Sequence, residues 1–355
     1  MMDKKNKTIA IGGEPYYSPA MLFTKAKNNF KTELKISYPD KYLTFTYGGY
    51  YSLRIILEHL NFNKNEIVLL PSYLCPTILI PFKEYGINYQ FYKIKEDLSI
   101  HTIDLQNKIT KNVKAVFFIN YFGFDLQEET KSLLLDTQHK GIVLIQDIVQ
   151  AFYLPKECIL GDYAFTSFRK FFPVEGSFIL SKNKIDNSIK TFHKKYFTHK
   201  LAGRFYRYAH YTFGIRESFF LNAFNKANNA YYVNKHMGFT RYDEYILNRM
   251  DLNKDKQLRK NNYSLLLENF KDIALFKALP DNIYPLAFPI LIKERDKIRK
   301  ALFKVNIYCP IHWILSDEVV EMEFEECLDL SKNILSIPIN NQMDNIKKIK
   351  SILKN

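Results

Sequence analysis

Only 4 cysteines occur in the 355 residues, Cys75, Cys158, Cys309 and Cys327, and they lie far apart with no CxxC pair. Neither a zinc centre nor a disulfide framework has its spacing here, and a reduced, cytoplasmic setting is expected. Acidic residues are also scarce, with 37 Asp and Glu against 51 Lys and Arg and a formal charge of +14. Such a field favours anionic partners, whether nucleic acid, an anionic membrane or a diphosphate-bearing ligand, or it reflects a genome that writes Lys, Asn and Ile freely. The basic residues are spread over the whole chain and no recognition motif appears, so nucleic-acid binding is not expected. No apolar run has the length of a membrane span, and residues 1–7 lack the apolar centre of a signal peptide.

Apolar residues are plentiful, at 47%, with 29 Phe and 25 Tyr among the aromatics. A chain this long exceeds one hydrophobic core, which predicts a large and a smaller domain. Between residues 42 and 181 strand-like apolar runs alternate with helical patterns, the order of a mainly parallel sheet with helices on its faces. The patterns predict strands at 66–70, 89–94 and 115–119, helices over 73–85 and 132–139, and a helical stripe of Leu53, Ile56, Leu57 and Leu60. From 184 to 237 the pattern is one of long helices, where Leu201, Phe205, Tyr208, Thr212 and Ile215 share a face beside Lys200, Arg204 and Arg207. That apolar face is expected to pack on its own protein, and membrane-surface association is not expected. A further long helix over 242–270, a strand over 286–292, a helix over 297–303 and a strand over 334–338 read as a smaller α+β domain.

In such sheets ligands collect beyond the carboxyl ends of the strands. Gly48, Ser72, Asn120, Asp147 and Ser167 each follow or end a strand-like run. Asp147 closes the run of four apolar residues 142–145 after one glutamine, where a carboxylate is costly to bury without a partner. It either neutralises a cationic ligand or caps a helix. Lys170 follows Gly161-Asp162, a strand-like run and Ser167, and reads either as an amine facing a cleft or as a solvated loop lysine. Gly48-Gly49-Tyr50-Tyr51-Ser52 opens a helix, where free N–H groups suit a phosphate. An anion, a lysine and a phosphate cradle are what pyridoxal 5'-phosphate (PLP) requires.

These segments resemble the DegT/DnrJ/StrS family of sugar aminotransferases, PLP-dependent enzymes of fold type I. Gly48-Gly49-Tyr50-Tyr51-Ser52-Leu53 is similar to the family's phosphate loop, Pro71-Ser72-Tyr73 to its Pro-Ser-Phe turn, and Gln146-Asp147-Ile148-Val149-Gln150-Ala151 to its Glu-Asp-Ala-Ala-Gln-Ala. The resemblance implies a seven-stranded, mainly parallel α/β large domain over 30–240, like that of aspartate aminotransferase, with a smaller α+β C-terminal domain over 241–355 plus 1–29. It implies Lys170 as the Schiff-base lysine and Gly49, Tyr50, Tyr73, Cys75, Asp147, Gln150, Ser167 and Arg241 at the cofactor. Pro310-Ile311-His312-Trp313 is similar to the loop that faces substrate, which implies His312 and Trp313 as substrate contacts. A nucleotide-linked keto-sugar, glutamate as donor, an amino-sugar product for surface polysaccharide and a homodimer follow as expectations. The alternatives are a sugar dehydratase, or an inactive relative that binds an anion. Three positions depart from the family pattern: Ser167 and Lys170 are closer together than usual, Cys75 replaces an aromatic, and Phe239 replaces the Asn of a loop that reaches a neighbouring subunit.

Overall fold

The computed structural model describes residues 10–185, 192–233, 235–322, 324–343 and 346–353. The polar N-terminal residues 1–7 lie outside the described residues, as do 186–191 in the expected helical region. Strand β1 (Ile11–Gly12) comes first. Seven strands then build the main sheet: β2 (Tyr42–Thr46), β3 (Ile67–Pro71), β4 (Asn88–Tyr92), β5 (Val113–Ile119), β6 (Val143–Asp147), β7 (Tyr163–Phe165) and β8 (Ser177–Ser181). Their order is β2-β8-β7-β6-β5-β3-β4, with β8 alone antiparallel to its neighbours. The seven-stranded, mainly parallel α/β architecture is therefore present.

Burial explains why these runs became strands. Ala115 to Phe118 of β5 and Leu144 to Gln146 of β6 are fully covered, since helices lie on the sheet and leave no wet face. Each buried Val, Leu or Phe in them contributes roughly 1.5–3 kcal/mol relative to exposure. The helix Gly49–Leu60 buries Leu53, Ile56 and Leu57, while Leu60 is half-buried. Over 73–85 the helix is shorter than the pattern predicts: Pro76 opens a single 3-10 turn, and the α-helix covers Leu79–Tyr85. The segment 242–270 divides into Arg241–Leu247 and Leu252–Phe270, because Asp251 caps the second helix by accepting from the Lys254 N–H at 3.0 Å.

After these helices come β9 (Ala287–Leu291), β10 (Ile307–Tyr308) and β11 (Ile334–Pro338), with the helix Arg295–Lys304 between β9 and β10. β11 pairs antiparallel with β9, and β1 pairs parallel with β10, joining Ile11 to Ile307. A second apolar core gathers here around Ile11, Tyr263, Leu266, Phe288, Ile290 and Leu335. Ile246, Leu247, Val319 and Cys327, however, pack with the core of the large sheet. Segments beyond residue 240 thus contribute to both cores.

The helix Lys194–Phe213 reverses the expectation from its periodicity. Its buried face carries Tyr196, Lys200, Gly203, Arg204, Arg207 and Ala209, whereas Phe205 is 52% and Phe213 70% exposed. The basic stripe goes inward because buried acids wait for it. Arg204 reaches the Glu175 carboxylate at 2.6 Å and Lys200 reaches Glu14 at 2.6 Å. Arg207 donates to the carbonyls of Gly12, at 2.8 Å, and Glu14. Gly13 permits this approach, for a Cβ there would lie 2.7 Å from the Arg207 guanidinium. Arg204 is therefore part of the fold's internal ion network.

Candidate active site

The carboxyl ends of β3, β5, β6 and β7 open on one side of the sheet, and the helix Gly49–Leu60 starts beside them. A cavity there is lined by Gly49, Tyr50, Cys75, Asp147, Gln150, Ser167, Lys170 and Trp313 of the residues singled out from sequence. An adjoining cavity shares Arg169 and Lys170 and adds Glu14, Arg299, His312 and Asn340. Lys170 thus stands where the two meet.

Asp147 ends β6, is 5% exposed, and accepts the Val149 N–H at 2.8 Å. Burial pushes its carboxyl up to about 7, against the opposing pull of that N–H and of Lys170. Burial also lowers the Lys170 amine from its ordinary value, which favours the neutral, nucleophilic form. Gln150 accepts the Phe122 N–H at 2.8 Å through Oε1, leaving its buried Nε2 unpartnered. A buried donor without an acceptor costs about 1–3 kcal/mol, so these residues fit a ligand that supplies one.

The lysine turn is held by aromatic packing. Phe168 is fully buried among Phe30, Phe152, Phe178 and Phe239, with ring centroids 5.3 to 6.1 Å away. Its N–H donates to the Gly176 carbonyl at 2.8 Å. Gly176 has φ +135°, and a Cβ would stand 2.6 Å from both Phe168 and Phe239. With Phe168 anchored inward, Arg169 and Lys170 project toward the cavity from the 3-10 turn Phe168–Lys170. The short Ser167 to Lys170 spacing is accommodated by this tight turn.

Tyr73 lies outside the cavity lining. Fully buried, its hydroxyl donates to the His312 carbonyl at 2.7 Å and accepts the Trp313 N–H at 2.9 Å, so it positions the 312–313 loop. The aromatic rings that line the cavity are those of Tyr50, Phe165, Tyr231, Tyr232 and Trp313; Cys75 lines it beside Thr77, its Sγ 3.1 Å from the Thr77 hydroxyl. His312 is buried with Nδ1 2.9 Å from the Ser336 hydroxyl. Burial and the Lys170 charge push it down to about 3, which keeps its ring neutral. Arg241 opens the helix Arg241–Leu247 as an exposed residue and lines neither cavity.

Sequence reasoning missed Arg169, Tyr231, Tyr232 and Glu14. Glu14 stands on the N-terminal arm, where burial alone would raise its carboxyl but Lys200, ahead of Arg169 and Arg204, holds it at about 2. Only the adjacency of Arg169 to Lys170 marked one of these four in the sequence.

The Asp147 shift has a testable sign. A carboxyl raised above its ordinary 3.8 favours the folded cofactor-free protein below that value, and the contribution is lost as pH rises through about 7. Relative to wild type, cofactor-free Asp147→Asn is expected to gain about 2 kcal/mol between pH 5 and 7, measured by denaturant unfolding. A flat difference across that range would contradict a buried, proton-binding Asp147.

No family model matches the sequence, and no curated protein matches it. Solved structures do. A Streptococcus pneumoniae protein described as a sugar aminotransferase, in its PLP form, superposes with a TM-score of 0.70 at 13% identity, covering 98% of this chain and 99% of that one. This is the fold of the sugar aminotransferases. A Brucella abortus DegT/DnrJ/EryC1/StrS aminotransferase gives a TM-score of 0.63 at 15% identity over 96% of this chain and 91% of that one. An Escherichia coli GDP-4-keto-6-deoxy-D-mannose-3-dehydratase with hydrated PLP gives 0.66 at 15% identity over 97% and 100%. The same sugar-aminotransferase fold thus carries both amination and dehydration in the proteins this chain resembles.

Proposed function

We propose that the chain is a PLP-dependent aminotransferase that converts a nucleotide-linked keto-sugar to an amino sugar, with glutamate as donor. The observation that carries this reading is one cavity holding both a half-buried lysine with a lowered pKa and a buried carboxyl raised by its burial. PLP, when bound, supplies an aldehyde for the lysine and a cationic ring that draws electrons from the reacting carbon. Asp147 would hold the ring nitrogen, and the Gln150 Nε2 would donate to the ring oxygen. Gly49, Tyr50 and Ser167 would hold the phosphate.

Lys170 Nζ would take and return the proton at the carbon that bears nitrogen. His312, kept neutral, donates or accepts a hydrogen bond without adding charge. The unpartnered Asn340 Oδ1 offers an acceptor for a sugar hydroxyl, and Arg299 brings positive charge to the same cavity for a diphosphate. Surface polysaccharide is the proposed destination of the amino sugar.

A homodimer is part of the proposal. Phe205, Phe213, Phe219 and Leu221 are exposed on the helices Lys194–Phe213 and Ser218–Asn228, an apolar surface of the kind subunit contacts cover. Sedimentation as a monomer at micromolar concentration would remove this part.

The decisive experiment mixes the PLP-loaded protein with glutamate alone. One equivalent of 2-oxoglutarate per site is the expected result. No release, with a keto-sugar dehydrated instead, would replace amination with the dehydratase reading.

A further inference from the structure

Arg169 feels the charge of Glu175 and Glu14 but is hydrogen-bonded to neither. Among the described residues its guanidinium makes no hydrogen bond or salt bridge; its close contact is the face of Tyr231, 4.6 Å from the ring centroid. It lines the cavity that also contains Gly49, Ser167 and Asp147. Guanidinium keeps its charge at any working pH, so a half-buried one lining a cavity suits an anionic ligand.

Tyr231 gives the second, independent observation. The residue is 2% exposed, lines the same cavity, and its hydroxyl has no partner. Its ring packs against Tyr50, Tyr51 and Tyr196, and its carbonyl accepts from the Tyr51 hydroxyl, so the side chain is fixed in place. A Cβ built on Gly48 would lie 2.3 Å from the Tyr231 oxygen, which puts that hydroxyl at the N-terminus of the helix Gly49–Leu60. Gly48 gives this twelve-residue helix no side-chain cap, so its first N–H groups remain available.

The loop from which a neighbouring subunit would be expected to reach the phosphate is committed elsewhere. Phe239 packs into its own core, with its ring 5.8 Å from Phe45 and 5.4 Å from Phe168. It has no side-chain amide to offer.

We propose that Arg169 and the Tyr231 hydroxyl complete the cofactor's phosphate site from within the same chain, in place of a contact from a second subunit. The inference rests on the PLP reading above. A phosphate monoester carries close to two negative charges, and here it would meet the helix N-terminus, two hydroxyls and one guanidinium. Arg169 then acts as an anchor for the cofactor's remote end, while Lys170 beside it holds the reactive end. Neighbouring residues on one short turn serve both.

The test titrates the cofactor-free full-length protein with PLP and, separately, with pyridoxal, which lacks the phosphate. Binding is read by absorbance and equilibrium dialysis, and by borohydride fixation with peptide mapping. Arg169→Met is expected to weaken PLP about 10- to 100-fold and pyridoxal less than about threefold. Tyr231→Phe should show a smaller loss, again for PLP alone, Arg169→Lys should fall between Arg169→Met and wild type, and Arg241→Ala should change neither ligand. Equal losses for both aldehydes in Arg169→Met, no loss for either, or a PLP-specific loss in Arg241→Ala would overturn the inference. If Arg169→Met does not fold, by circular dichroism, the Arg169→Lys comparison decides in its place. Absence of any fixed adduct on Lys170 in the wild type is a separate outcome, and it would overturn the cofactor reading itself along with this one.

Discussion

Lys170→Ala is expected to abolish 2-oxoglutarate release from glutamate, with a fall in rate of at least about 10³-fold, while the fold survives. Both halves of that expectation come from the same surroundings. The half-buried amine is lowered by desolvation and by the Arg169 charge, and it faces a carboxyl, Asp147, that burial itself disfavours in charged form. Removing a cation from such a place relieves a desolvation cost, so the thermal midpoint of the cofactor-free variant should stay level or rise. Retained turnover would exclude Lys170 as the nucleophile. A lost midpoint with lost turnover would instead assign the lysine to the fold.

Glu175→Ala carries the largest expected effect on stability. Its carboxylate is buried, accepts from Arg204 at 2.6 Å and from the Tyr196 hydroxyl at 2.9 Å, and lies 3.9 Å from Lys200. Its own N–H donates to Asp243 at 2.9 Å. Truncation leaves the Arg204 guanidinium enclosed without its main anion, which costs about 3–5 kcal/mol. Thermal unfolding should move down by roughly 5–10 °C, and Glu175→Gln should lose less because it keeps an acceptor. A shift under about 2 °C would show that water or rearrangement satisfies Arg204 without Glu175. Because Glu175 also ends the loop that carries Lys170, the alanine variant is expected to lose cofactor on dialysis before it unfolds.

The contrast between the two basic sites shows what a one-dimensional reading can and cannot see. Strands β3, β5 and β6 were legible because each contains a short continuous apolar run, and Asp147 stood out as the acidic residue at the end of β6. Their partners differ in sequence position, but burial on both faces leaves the same signature in each strand. The helix Lys194–Phe213 was legible as a helix and wrong in its orientation. Hydrophobic periodicity assigns the interior to Leu201, Phe205 and Tyr208, and nothing local announces that Glu14, Glu175 and Asp243, far away along the chain, will draw Lys200, Arg204 and Arg207 inward. Arg169 was hidden for the opposite reason: among 51 basic residues its sole distinction was the lysine beside it. Tyr231 gave no signal among 25 tyrosines, since its role depends on a ring placed over Gly48 by a fold.

The parallel pairing of β1 with β10 sets Ile11 beside Ile307. During translation the first of these leaves the ribosome almost three hundred residues before its neighbour, so the arm must wait unpaired while the large sheet assembles. Contacts this distant along the chain are slow to form. The loop bearing Glu14 can therefore bring that acid to the cavity beside Lys170 only in the last stage of maturation, after the large sheet already exists.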